Sequence, residues 1–341
     1  MRIASFASSA VLALAAATAG AYEWQPLPEA APEPADNPTT EEKVTLGRML
    51  YFDPRLSSES TISCFSCHNI LEGGDDNRPV SPGVHGQMGT RNAPTVWNSA
   101  FLSVQFWDGR APTLEEQAKG PITNPIEMGM STHDDAVARV QEIESYQAYF
   151  DDAFGDGAAV NLDNIVKAIA AYERTLITPD SAYDRWAKGE QDALTEQQQR
   201  GAETFVEVGC VTCHSGPMFN GPQLPIGQGF YMKFPTFTDS PYVAQYGFME
   251  DPGRYEATGN EADRHMWRVP TLRNIAVTGP YFHNGSVADL GAAVRVMAAT
   301  QLNRELTDAQ VADIVAFLNG LTGPFGDKEI PDLPESPLAQ E

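Results

Sequence analysis

All four cysteines of the chain fall in two copies of one short pattern: Cys64, Cys67 and His68 in "TISCFSCHNI", and Cys210, Cys213 and His214 in "GCVTCHSG". Two thiols at this spacing, followed at once by an imidazole, admit four chemistries. A structural zinc site could take its four ligands from the two cysteine pairs, which would leave both histidines without a role. A thioredoxin-type redox pair has the same cysteine spacing, but it belongs in a βαβ setting and makes no use of the histidine. Two local disulfides would be purely structural. Covalent haem attachment uses all three residues, because the thiols bond the haem vinyl groups and the histidine coordinates iron from the proximal side. Two complete motifs with no cysteine left over point to two covalent haem c groups.

A haem iron has one position beyond the porphyrin and the proximal histidine, and its occupant decides function. A methionine thioether raises the reduction potential, a second histidine holds it lower, and an open position lets a substrate bind. Beyond His68 and His214 the chain offers His85, His133, His265, His283 and ten methionines. His85 lies in "SPGVHGQMG", a glycine-rich loop after the first motif whose flexibility would let a ligand swing on and off. Met297 in "VRVMAATQLNR" and Met266 in "RHMWRVP" are candidate thioether ligands. Taken alone, Trp107 reads as a core aromatic, Glu127 and Gln117 as solvated loop residues, and Asn92, Thr278 and Pro280 as turn residues.

The elements that must position these residues repeat. "TTEEKVTLGRMLYFD" precedes the first motif, with a capping-box pattern at Thr39 and Glu42 and Val44, Leu46, Met49 and Leu50 at helical spacing. "LTEQQQRGAETFVEVG" precedes the second, with Thr195 opening a similar helix. Apolar residues every three or four positions predict closing helices over 164–177 and 308–323. The motif returns from position 64 to 210, a distance of 146 residues, which is a domain duplication rather than a solenoid. Strand signals are few. The expected fold is therefore mainly α, with two cytochrome c-like haem domains in tandem and long haem-wrapping loops. Its expected divisions are a signal peptide over 1–21, an N-terminal domain over 22–177 and a C-terminal domain over 178–341.

The leader carries Arg2, an apolar run and small residues ending Ala19-Gly20-Ala21, so export to the periplasm with cleavage near Ala21 is expected. The proline-rich stretches at 25–38 and beyond Pro324 read as extended arms. With 22 Lys and Arg against 46 Asp and Glu, the net charge is −24, which disfavours nucleic acid as a partner and suits a basic protein.

From about Leu46 to Gly323 the sequence resembles the bacterial dihaem cytochrome c peroxidases. The resemblance rests on "ISCFSCHN", "TRNAPTVWNSAF", "QFWDGRAPTLEEQAKGPI", "TLITPDSAYDRW", "GCVTCHSG", "VPTLRNIAVTGPYFHNG" and "QLNRELTD". It implies reduction of hydrogen peroxide at the N-terminal haem, with electrons entering through the C-terminal haem from a small cytochrome c or cupredoxin. It assigns His85 as the displaceable ligand of the first iron and Met297 as the fixed ligand of the second. Glu127 becomes the acid/base group, Gln117 its hydrogen-bonding neighbour, and Trp107 an aromatic between the haems. It also implies a calcium ion held by Asn92 and by the carbonyls of Thr278 and Pro280, and a homodimer. It gives no catalytic role to His133, His265 or His283, although His283 falls in a matching stretch. Two alternatives remain at this stage: a MauG-type dihaem oxidase of a protein substrate, disfavoured by His85 and Met297, and a plain dihaem electron carrier with no open iron.

Overall fold

The computed structural model describes residues 22–326 and 328–335, so the expected signal peptide lies outside the described residues. Among the described residues twelve α-helices carry the chain. They are α1 (Glu41–Phe52), α2 (Cys64–Cys67), α3 (Leu114–Thr123), α4 (His133–Gln141), α5 (Tyr146–Phe154), α6 (Leu162–Glu173), α7 (Ala182–Ala187), α8 (Glu196–Val208), α9 (Pro241–Gln245), α10 (Tyr255–Thr258), α11 (Leu290–Leu302) and α12 (Asp308–Asn319). A two-stranded antiparallel ribbon pairs β1 (Tyr231–Lys233) with β2 (Met266–Arg268), Tyr231 opposite Arg268. The mainly helical expectation holds. Among the described residues no helix is long and apolar enough to cross a membrane.

The expected duplication appears as two helix pairs, α1 crossing α6 and α8 crossing α12. Each crossing is seated on a glycine. A Cβ on Gly47 of α1 would run into the Ala168 carbonyl of α6, and one on Gly201 of α8 into the Asp313 carbonyl of α12. Only a bare Cα lets the backbones approach this closely, and the neighbouring apolar residues, Leu46 and Leu50 against Ile165 and Ile169, then fill the core. In the second pair Phe205 packs with Phe317 and Phe219.

Local signals hold to within a residue or a turn. Thr195 caps α8 in a capping box with Gln198, as expected. In α1 the cap is Thr40 rather than Thr39, its hydroxyl accepting from Lys43 N, because helical geometry begins one residue later than the pattern suggested. The closing helices stop at Glu173 and Asn319, short of 177 and 323. The chain then turns into buried loops in which Leu176 N donates to Glu173 O and Gly323 N to Asn274 Oδ1.

The segment 178–190, which opens the expected C-terminal domain, is packed. Asp184 of α7 is fully buried, accepts from Leu27 N and pairs with buried Arg273 at 2.9 Å. Both arms cross to the opposite half. Trp24 packs against Tyr183, Trp186 and Phe317, while Phe325 reaches back onto Trp97.

Candidate functional site

One continuous cavity of about 730 Å³ runs between the two halves, and both cysteine motifs open into it. Cys64, Cys67, His68, Cys210, Cys213 and His214 all line it. Helix α1 is C-capped by Asp53 and the chain re-enters as the short α2, which presents Cys64 and Cys67 on one turn with His68 as its C-cap. Tyr51 of α1 donates to the His68 carbonyl at 2.7 Å and ties the motif to the helix pair. In the second half Gly209, in the left-handed region at φ 101°, turns α8 directly into the motif.

The two histidines are held alike. His68 Nδ1 donates to Pro94 O at 2.9 Å and His214 Nδ1 to Phe219 O at 2.8 Å. In each case this fixes the tautomer and leaves Nε2 with its lone pair, as a metal-ligating imidazole requires. Burial pushes both imidazoles below their ordinary value and keeps them neutral. Burial also pushes the Cys67 thiol up to about 11 and Cys210 up to about 12. A thioredoxin-type pair requires the opposite shift. Both pairs line the cavity, and among the described residues no group of three or more His, Cys, Asp and Glu converges as a zinc site would need. Paired cysteines, an anchored imidazole and an apolar chamber fit a covalent haem at each motif.

Most of the remaining residues singled out in the sequence line this cavity: Asn92, Trp107, Gln117, Glu127, Thr278, Pro280 and Met297. Helix α3, capped by Thr113, carries Gln117 on the face that also bears Leu114 and Ala118. The loop that follows α3 carries Glu127, whose carboxyl is raised above its ordinary value by burial, against the pull of Arg110 and a hydrogen bond from Asn124. Trp107 Nε1 donates to Asn92 O at 2.8 Å, so the indole and the expected calcium ligand are joined. On α11, Leu290, Ala293, Val294, Met297, Ala298 and Gln301 recur at helical spacing along the cavity wall. Met297 thus faces the chamber, and Met266 does not line it. Met232 of β1 also lines it, a methionine that sequence reasoning passed over.

His85 stands apart. It does not line the cavity; its side chain is 63% exposed and its Nδ1 lies 2.8 Å from Glu59 Oε1. The other Glu59 oxygen accepts from His85 N at 2.7 Å. The residue sits at φ 57°, in the left-handed region that non-glycine residues enter sparingly. The loop is pinned at its base to the acid/base candidate, since Val84 N donates to Glu127 O at 2.9 Å. Glu59 and Val84 were not readable as partners of His85 and Glu127, since neither contact leaves a periodic signal. His265 and His283 are buried, and His283 lines the cavity while stacking on Trp267 at 4.2 Å.

Comparison with known proteins agrees with this geometry. Residues 41–192 match the sequence profile of the family described as di-haem cytochrome c peroxidase. The chain is 45% identical over 332 residues to cytochrome c551 peroxidase of Nitrosomonas europaea, covering 97% of this chain and 93% of that one. It is 42% identical over 315 residues to cytochrome c551 peroxidase of Pseudomonas aeruginosa, covering 92% and 88%. A crystal structure of a MauG-like protein associated with microbial copper homeostasis superposes with a TM-score of 0.75 at 31% identity, covering 89% of this chain and 96% of that one.

Proposed function

Because the chain belongs to the di-haem cytochrome c peroxidase family, an enzyme class that reduces hydrogen peroxide with cytochrome-derived electrons on two haem c groups, we propose a division of labour between its two halves. Peroxide binds in the half that carries His68, and electrons enter through the half that carries His214. The observation that carries this reading is the asymmetry of one shared cavity. Glu127 and Gln117 lie on α3 and its following loop in the first half, whereas the wall of the second half is α11 with Met297.

Reduction of peroxide to two waters consumes two electrons and two protons. Haems held by Cys64, Cys67 and His68 and by Cys210, Cys213 and His214 would supply the iron chemistry and the route for electrons. The chain supplies the rest. Glu127, part-buried with a raised carboxyl, takes a proton from the incoming oxygen and returns it to the leaving one. Gln117 orients the substrate by hydrogen bonding. Met297 provides the thioether that holds the second haem at higher potential. Trp107, fixed through Asn92, fills the space between the halves. His85 closes the first site when it swings in and opens it when it pairs with Glu59.

Replacing Glu127 with Gln tests the assignment, since the amide keeps the shape but cannot shuttle a proton. Peroxide-dependent oxidation of a reduced cytochrome should fall by roughly 10²- to 10⁴-fold while both haems remain bound. Near-normal turnover would withdraw the role.

Calcium at the seam belongs to the same proposal. Asn92 Nδ2 donates to Arg78 O at 2.8 Å, which leaves Oδ1 as an acceptor, and with the carbonyls of Thr278 and Pro280, residues that line the same cavity, it would make an oxygen set that suits a hard cation. Calorimetric titration of chelator-treated protein should show one calcium per chain, and no binding would remove the site. We further propose export to the periplasm with cleavage near Ala21, to be read by N-terminal sequencing of the exported protein. A homodimer, to be read by sedimentation, and a small cytochrome c or cupredoxin donor, to be read by which reduced protein is oxidised, complete the proposal.

A further inference from the structure

Arg268 lies on β2 at the seam between the halves, is 5% exposed and lines the cavity. Its place is set by backbone on both sides. Its own N–H donates to Trp107 O at 2.9 Å, its Nε donates to Phe106 O at 3.0 Å, and Tyr231 stands opposite it across the ribbon. Among the described residues its guanidinium donates to carbonyls alone, Val269 O at 3.4 Å being the second. Among the described residues no carboxylate pairs with it. The acidic groups that reach it electrostatically are the Tyr231 phenol, which is neutral at ordinary pH, and Asp108, which is already engaged by Arg91 at 2.6 Å and Arg110 at 2.9 Å. A guanidinium buried without a counter-charge costs several kcal/mol, a cost that native structures offset with a paired anion. The other buried arginines behave that way, since Arg174 pairs with Glu115 and Arg273 with Asp184.

The missing anion must come from what the cavity receives. A haem brings two ionised carboxylates, which cannot be buried without donors any more than Arg268 can without an acceptor. We propose that Arg268 binds a carboxylate of one of the two haems at the seam and, by placing a positive charge beside that haem, raises its reduction potential. The inference rests on the reading that both haems occupy this cavity. A planar guanidinium suits the task because two of its N–H groups can meet both carboxylate oxygens.

Spectroelectrochemical titration of the complete two-haem protein resolves the two potentials and shows which haem is the partner. In Arg268→Gln, which keeps a donor for Phe106 O but loses the charge, one potential should fall and the other stay. In Arg268→Lys, which keeps the charge, most of that fall should be restored. If both potentials are unchanged in an Arg268→Gln protein that carries two haems, or if Lys and Gln behave alike, the proposal is overturned. Should the variants fail to load haem, resonance Raman spectra of the wild-type protein decide. The propionate bending modes of one haem should report a charge-assisted hydrogen bond, and solvated modes for all four carboxylates would contradict it. A haem count of one per chain would instead refute the reading on which the inference rests.

Discussion

At the scale of single residues, the site depends on which side chains reach the chamber and which are held out of it. Met297 reaches it from a regular helix face, so Met297→His should lower the potential of the second haem and slow turnover while leaving ligand binding at the first haem intact. An unchanged potential, measured by redox titration, would pass the role to Met232, the other methionine on the cavity wall of that half. Much of this chemistry was legible in the sequence, because Cys64, Cys67 and His68 and their repeat act through positions adjacent in the chain. What was not legible acts across the fold. Glu59 meets His85 from 26 residues away, and Arg268 meets Phe106 O from 162 residues away. Nothing in the local pattern of either residue announces its partner.

At the scale of elements, each motif is positioned by a helix pair that closes on a glycine. Replacing Gly47 or Gly201 with Ala would drive a methyl group into a backbone carbonyl of the partner helix, which cannot move aside as a side chain can. Each substitution should therefore destabilise the protein by about 1–3 kcal/mol, the range for overpacking a filled core. Chemical denaturation would measure it, and an unchanged midpoint would mean that the crossings are looser than described. The helices themselves were legible from their caps and apolar spacing. The backbone approach between them was not, since a lone glycine in "LGRML" or "RGAETF" reads as a weak helix former until its partner is known. The same holds for α7. "SAYDRWA" carries Asp184, whose partner Arg273 lies 89 residues further on, and no local pattern links the two.

At the scale of the whole molecule, two halves with exchanged arms enclose one cavity, and that enclosure imposes a pH dependence. Glu173 of α6 lines the cavity, and burial raises its carboxyl to about 8; burial likewise raises Asp75 to about 7. A carboxyl raised in the folded state is protonated there while the unfolded chain has already released its proton. Its contribution is intact below an ordinary glutamate value of about 4.5 and is lost as pH rises toward 8. Glu173→Gln should flatten the fall in melting temperature across that window and leave the variant more stable than the wild type at its upper end. Parallel curves would show that Glu173 is not held neutral. The central claim is that peroxide is reduced at the first haem, behind a gate formed by His85, with the second haem holding the reserve electron. Stopped-flow mixing of half-reduced protein with peroxide tests it most directly, in the wild type and in His85→Gly. Peroxide should perturb the first haem and oxidise the second in the same phase, and His85→Gly should let the fully oxidised protein bind peroxide as fast as the half-reduced one. A first haem that neither peroxide nor cyanide perturbs in any redox state, in either protein, would contradict it.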